Sequence, residues 1–154
     1  MAAIAESAGR FLVVEERISG RLVLNQPAGH VEQGESLLEA VVREVREETA
    51  WGFVPRHLIG AYLWSNPLNG QTTLRFAFDG EVGDHDARQS LDEGIVATHW
   101  LTQEDLRARE NQLRSPLVLR CVEDYLNGRR TSVHSVAHLD LATAHSFTAA
   151  ETVL

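Results

Sequence analysis

A chain of 154 residues is long enough for one compact domain with a real core and too short for two ordinary ones. Apolar residues at 44% and charged residues at 23% are close to globular averages, so neither a disordered nor a membrane-embedded protein is indicated. The formal charge of −8 argues against a dedicated nucleic-acid surface, since phosphate backbones are held by clusters of Lys and Arg, and makes a cation the expected electrostatic partner.

In chain order, FLVVEERI (11 to 18) reads as a strand, Ser19 and Gly20 as its turn, and RLVLNQ (21 to 26) as the partner strand of a hairpin. PAGHVEQGE follows as a loop. From Ser36 to about Thr49, Leu38, Val41, Val42 and Val45 recur at helical spacing, with Ser36 placed to cap the first turn and Glu39 to complete a capping box. HLIGAYLWS and TTLRFAFDGEV, joined across NPLNGQ, read as a second hairpin, and GIVATHWL as one more strand. TQEDLRARE opens a helix with Thr102 as its cap. SPLVLRCVEDYLNG has Ser115 as cap, Pro116 at the first helical position and Gly128 as the stop. Interleaved strands and helices predict an α/β (α+β) architecture, a mixed sheet with helices packed on it. One domain is expected over residues 1 to 130, followed by a weakly patterned tail from 131 to 154. In that tail His134 and His138 have a zinc-compatible i, i+4 spacing but no third ligand of recognisable spacing, so a partly ordered tail or a partner contact is the better reading. Cys121, alone in the chain, permits no intrachain disulfide and reads as an inert, partly buried thiol. With no secretory leader in view, the cytoplasm is the expected compartment.

The segment from Gly29 to Trp51 concentrates negative charge in Glu32, Glu35, Glu39, Glu44, Glu47 and Glu48. With helix residues about 100° apart, Val41, Val45, Leu38, Thr49 and Val42 fall on one arc, and Glu44, Glu47 and Glu48 on another beside it. A solvated acidic face is the ordinary explanation of such a helix. Three features favour a metal site instead. Arg43 lies within a turn of Glu47 and can orient carboxylates without neutralising them all. Pro27 and Gly29 can turn the backbone so that a carbonyl points at the acidic face, and a tight turn around Gly34 brings Glu35 to the helix start. Several hard oxygens on one rigid helix suit Mg²⁺ or Mn²⁺.

The segment resembles the Nudix box, G-x5-E-x7-R-E-U-x-E-E-x-G-U with U aliphatic: Gly29, Glu35, Arg43, Glu44, Val45, Glu47 and Glu48 fall on family positions. Ala50 stands where the family has Gly and Trp51 where it prefers an aliphatic residue; Gly52 is expected to take over the helix exit. FLVVEERISGR, LNQPAGH, TLRFAF and LRSPLVLRCVEDYLNGRR resemble the NudJ-type phosphatase branch, and AAIA (2 to 5) looks like the later half of the family's first strand. The resemblance implies the Nudix fold, a mixed sheet sandwiched between helices, and Mg²⁺-dependent release of phosphate from nucleoside tri- and diphosphates and thiamine-related pyrimidine pyrophosphates.

By the same resemblance Glu44, Glu47 and Glu48 ligate metal, with the Ala28 carbonyl added, and Glu44 is the candidate base that activates water. Arg43 holds Glu44 or Glu47, while Glu35 and Gly29 support the site without ligating. Asp92 and Glu93, in LDEGIV, stand where many Nudix enzymes add an acid, against the plainer reading of a solvated turn. Trp64 either stacks on a substrate ring or packs at a sheet end. Arg114 either contacts phosphate or is a surface arginine. Gln26 is placed to hydrogen-bond substrate, and His30 reads as an exposed loop residue. Without lysine, Schiff-base, lysine-nucleophile and Walker-type mechanisms are excluded. The expected partner is a small nucleotide or pyrimidine diphosphate, with no nucleic-acid polymer and no membrane, on a monomer or homodimer. ADP-ribose, a dinucleoside polyphosphate or an oxidised nucleotide is the alternative substrate, and a non-catalytic nucleotide sensor the alternative class.

Overall fold

The computed structural model describes residues 1–139. The first strand, β1 (Ala2–Ser7), turns into β2 (Arg10–Ile18), which turns through Ser19 and Gly20, both at positive φ, into β3 (Arg21–Asn25). Positive φ at both central residues matches the strands' right-handed twist, which is why a two-residue Ser-Gly turn closes this hairpin. After the loop come α1 (Leu37–Thr49), the long hairpin of β4 (Trp51–Ser65) and β5 (Thr72–His85), β6 (Ile95–Leu101), α2 (Gln103–Ala108), α3 (Leu117–Leu126) and the short β7 (Thr131–Ser132).

The strands form one mixed sheet in the order β3-β2-β1-β5-β4-β7, with β6 paired to β2. Parallel pairing occurs between β1 and β5, where Ala2 faces Ala77; β2 with β3, β2 with β6 and β4 with β5 are antiparallel. Strand alternation sends successive side chains to opposite faces, so each face has its own core. On one, Ile4, Phe11, Val13, Leu24, Ile59 and Ala77 meet Leu106 of α2 and Val118, Cys121 and Val122 of α3. On the other, Ala3, Ala5, Leu12, Phe53, Leu58 and Phe78 meet Ala40, Val41 and Val45 of α1. Each large apolar side chain buried this way contributes about 1.5–3 kcal/mol. The expected sandwich of a mixed sheet between helices is what the chain forms.

Local details differ in two places. Ser115 does not cap α3: the cap position is Pro116, with no side-chain bond, and the Ser115 hydroxyl is buried elsewhere. Gly52 does not make the exit from α1. Ala50 takes the left-handed conformation itself (φ 59, ψ 10), its N–H donating to the Arg46 carbonyl at 2.9 Å. Burial pushes the Cys121 thiol up to about 11, in keeping with an inert core residue. His134 and His138 join no group of three His, Cys, Asp or Glu able to hold a metal among the described residues, and the tail beyond residue 139 lies outside them. No helix among the described residues is long and apolar enough to cross a membrane.

Candidate active site

The loop after β3 is laid across the start of β1. Ala3 N–H donates to the Pro27 carbonyl at 2.9 Å and Gly29 N–H to the Met1 carbonyl at 3.2 Å, with Ala2 and Ala28 opposite each other as a bridge. In an extended backbone the N–H and C=O of one residue point the same way. Pro27 and Gly29 therefore bond to β1, and Ala28 presents its polar groups to the other side, where its N–H donates to Glu48 Oε2 at 2.8 Å. Ala28 is thus tied to α1 through its N–H, the residue whose carbonyl is the expected additional metal ligand.

Helix α1 begins with the expected capping box, Ser36 and Glu39 bonding reciprocally. Its inward face is turned from the one the apolar residues alone suggest. Ala40, Val41, Glu44, Val45, Glu48 and Thr49 are buried, whereas Val42 is 37% exposed. Glu48 lies two turns from Val41 on the same line of the helix, so the stripe that packs on the sheet carries two acids within it. Gly29 explains how they fit. A Cβ there would stand 1.9 Å from Glu44 Oε1, so any larger residue would have to push the Glu44 carboxylate from its present position.

Burial has an electrostatic consequence. It raises the Glu44 carboxyl above the usual carboxylate range, against the opposing pull of Arg43. Burial first, then the neighbouring charges of Glu44, Glu16 and Asp92, carries Glu48 up to about 8 despite the Ala28 N–H. Two desolvated carboxylates sharing a pocket are costly as a pair of anions and comfortable beside a cation. Hard oxygens from Glu44, Glu48 and a backbone carbonyl fit Mg²⁺ or Mn²⁺. Among the described residues no three acids or histidines converge as a ligand group; Glu44 and Glu47 are engaged by Arg43 and Glu48 by the Ala28 N–H.

Most of that engagement comes from Arg43. Its Nε and Nη2 grip Glu35 at 2.6 and 3.0 Å, Nη1 donates to Glu44 at 3.0 Å and to Glu47 at 2.9 Å, and Nη2 also reaches the His30 carbonyl at 3.0 Å. All its N–H donors are used. The guanidinium holds the Glu35 carboxyl down to about 2, keeping it a fixed anion. Glu35, turned in by the Gly34 turn (φ 88) and accepting from Glu32 N–H, thus anchors the arginine that positions Glu44 and Glu47.

The other expected residues divide. Asp92 is exposed but lies beside the C-terminal turn of α1: its backbone N–H donates to the Glu47 carbonyl at 3.1 Å, and its charge bears on Glu48. Glu93 is exposed, with no bond to the α1 carboxylates among the described residues. Trp64 is half-buried on β4, two residues beyond Tyr62, which pairs with Arg75. Arg114 binds Glu16 through Nη1 and so is not a bare surface arginine. Gln26 is corrected. It is 2% exposed, and its amide is turned inward, donating to the Val118 carbonyl at 2.7 Å and accepting from Arg75 at 2.9 Å, so burial keeps it from a substrate.

Sequence reasoning passed over Glu16 and Arg75, both 8% exposed. A usable signal was present in the alternation: Leu12, Val14 and Glu16 share one phase of β2, and Arg75 shares that of Ala77, so each places a charge at a core position.

A mixed sheet between helices, with an acidic helix under a proline-glycine loop, defines a hydrolase of the Nudix class, and the chain belongs to that family: the NUDIX domain model matches residues 1–121. Among its relatives, the phosphatase NudJ of Escherichia coli strain K12 is 39% identical over 130 residues, 84% of either chain, and NudJ of Shigella flexneri matches to the same extent. A solved Nudix hydrolase from Nitrosomonas europaea is 43% identical, covers 90% of this chain and 94% of its own, and superposes with a TM-score of 0.87. The C. elegans Ap4A hydrolase, at 19% identity, TM-score 0.57 and coverage of 82% and 94%, shares the fold alone. The chain is thus a Nudix hydrolase similar to NudJ phosphatases, acting on small molecules.

Proposed function

We propose that this chain is a Mg²⁺-dependent phosphatase that releases phosphate from nucleoside tri- and diphosphates and from thiamine-related pyrimidine pyrophosphates, hydroxymethylpyrimidine pyrophosphate and thiamine pyrophosphate among them, with residues 1 to 130 as the catalytic unit. The observation that carries this is the buried pair Glu44 and Glu48, set under Ala28 and Gly29 with raised carboxyl pKa values. Identity of 39% to NudJ phosphatases supports the substrate class.

Glu44, Glu47, Glu48 and the Ala28 carbonyl would hold the cation. Bound there, Mg²⁺ or Mn²⁺ supplies the counter-charge for the diphosphate oxygens. Glu44 takes the proton from the attacking water; the water oxygen bonds to phosphorus as the P–O bond to the departing group breaks, and no covalent enzyme intermediate forms. A carboxylate whose pKa is raised by burial suits that task better than an exposed one. Arg43 fixes Glu44 and Glu47, Asp92 adds negative charge at the rim, and Trp64 offers a ring face to the substrate's heterocycle.

Phosphate release from GDP and from hydroxymethylpyrimidine pyrophosphate, each with and without Mg²⁺, tests the proposal. Turnover of both that disappears in chelator is expected. Activity confined to ADP-ribose, a dinucleoside polyphosphate or an oxidised nucleotide would move the assignment to another Nudix substrate, and no metal-dependent turnover of any diphosphate would make the domain a nucleotide sensor.

A further inference from the structure

Glu16 carries a buried carboxylate oxygen with no hydrogen-bond partner among the described residues: Oε1 is unbonded on a residue 8% exposed, while Oε2 accepts from Arg114 Nη1. The register of β2 on β3 fixes the face on which this carboxylate stands. Glu15 pairs with Leu24, which belongs to the core under α2 and α3, so Glu16 and its partner Val23 lie on the opposite face, that of Leu12 and α1. A run of contacts joins Glu16 to the acidic turn of that helix. Glu16 pairs with Ile95, the Ile95 N–H donates to the Asp92 carbonyl at 3.1 Å, and the Asp92 N–H donates to the Glu47 carbonyl at 3.1 Å. The charge of Glu16 is also among those that bear on Glu48.

A carboxylate oxygen left unpaired out of water is destabilising, and a native chain that keeps one needs a reason. An ionised carboxylate only accepts, so whatever completes Oε1 must donate. Arg114 is its complement. It spends one N–H on Glu16, the only bond its side chain makes among the described residues, and a guanidinium has several more to give. The bonded pair therefore sets an acceptor and donors side by side, next to the half-buried Val23. A planar ring edge with an amine or ring N–H beside an unprotonated nitrogen or a carbonyl satisfies both. Nucleobases and the aminopyrimidine of hydroxymethylpyrimidine pyrophosphate each have such an edge, and apart from the diphosphate it is what those two proposed substrate classes share.

We infer that Glu16 and Arg114 form the recognition site for the substrate's nitrogen heterocycle, an amine or ring N–H donating to Glu16 Oε1 and the neighbouring ring acceptor taking an N–H from Arg114. Arg114, its side chain 46% exposed against 11% for Glu16, is the member of the pair with room to move aside as the ring enters over Val23. The assignment rests on the cleft beside α1 being a diphosphate site.

Calorimetric titration in Mg²⁺ with AMP and with purine riboside 5′-monophosphate, which lacks only the amine, tests it on the wild type, Glu16→Gln and Arg114→Ala, each checked for cooperative unfolding. The wild type should bind AMP about tenfold or more tightly, since a hydrogen bond to a charged acceptor is worth at least that factor. In Glu16→Gln the amide oxygen must face Arg114, which only donates, so an NH₂ group takes the place of Oε1 and the preference for AMP should vanish. Arg114→Ala should weaken both ligands. A wild type that binds both alike or neither, a ratio unchanged in Glu16→Gln, or undiminished binding of both by Arg114→Ala overturns the assignment; should the variants not fold, the wild-type ratio still decides. Phosphate release from ADP and from purine riboside 5′-diphosphate in Mg²⁺ separates the two layers. Discrimination in binding without turnover defeats the phosphatase reading and leaves the recognition site standing, while turnover without discrimination in binding defeats the recognition site alone.

Discussion

Replacing Glu48 by Gln should make the metal-free protein more stable, increasingly so as pH rises above about 5. Burial lifts this carboxyl from 4.5 to about 8, so the folded chain holds the proton more tightly than the unfolded one. A group shifted in that direction contributes its stability in full below the unfolded pKa and loses it as pH rises through the folded value. Each pKa unit is worth 1.36 kcal/mol, so ionising Glu48 in the folded state costs at most about 4–5 kcal/mol, nearly all of it between about pH 5 and pH 9. Gln keeps an acceptor for the Ala28 N–H and has no charge to bury. In chelator, the variant and the wild type should unfold within about 1 kcal/mol of each other near pH 5 and diverge by a few kcal/mol near pH 9, roughly 10 °C in Tm for a chain of this size. Urea or thermal unfolding across that range reads the difference, and groups that titrate alike in both proteins cancel. Adding Mg²⁺ near pH 9 should restore the wild type and leave the variant unmoved. Parallel pH curves, or a variant less stable at high pH, would refute the claim that Glu48 is a desolvated acid kept for a cation.

Glu44→Gln should fold normally and lose phosphate release by about 100-fold or more, the usual range for a missing general base; retained activity would remove Glu44 from that role. Gly29→Ala places a methyl 1.9 Å from Glu44 Oε1, so steady-state kinetics should show a lower kcat, and urea unfolding a loss of about 1–3 kcal/mol from overpacking. Arg43→Lys gives up the two-pronged grip on Glu35 and most of the bonds to Glu44 and Glu47; Mg²⁺-dependent activity should fall about tenfold or more, with the far-UV spectrum unchanged. Ala50→Gly relieves a left-handed alanine worth about 1–2 kcal/mol at the expense of a buried methyl worth about 0.8 kcal/mol, so denaturant unfolding should show a gain below about 1 kcal/mol and activity should persist.

Much of the fold was legible because local chemistry and tertiary packing agree where the signals were strong. Ser19 and Gly20 close the first hairpin, Ser36 and Glu39 cap α1, and Gly128 adopts positive φ at the end of α3. Where a residue has two plausible partners, the sequence does not say which wins. Ser115 could cap a helix by spacing, but its hydroxyl is buried without bonding the helix N–H groups, and the cap position falls to Pro116. Gly52 had the conformational freedom for the helix exit, yet the turn comes at Ala50, whose backbone bond to Arg46 fixes it there. The site shows the same division. Arg43, Glu44, Glu47 and Glu48 lie on one rigid helix, so their grouping follows from about 100° per residue. Glu16, Arg75 and Arg114 come from separate elements, Arg114 bonding Glu16 directly and Arg75 bonding Asn25 of β3, a long-range consequence that local spacing does not carry. Gln26 was misread for the same reason: its partners, Val118 and Arg75, are distant in the chain.

The central claim is that α1 buries acids in readiness for a divalent cation, and titration of the chelator-treated protein with Mn²⁺ near pH 7, in two buffers of different ionisation enthalpy, tests it most directly. With Glu48 held to about 8, the wild type should take up Mn²⁺ and release about one proton per protein, whereas Glu48→Gln should bind far more weakly and release none. No Mn²⁺ uptake by the wild type, or uptake of equal strength and proton count in the variant, would contradict it.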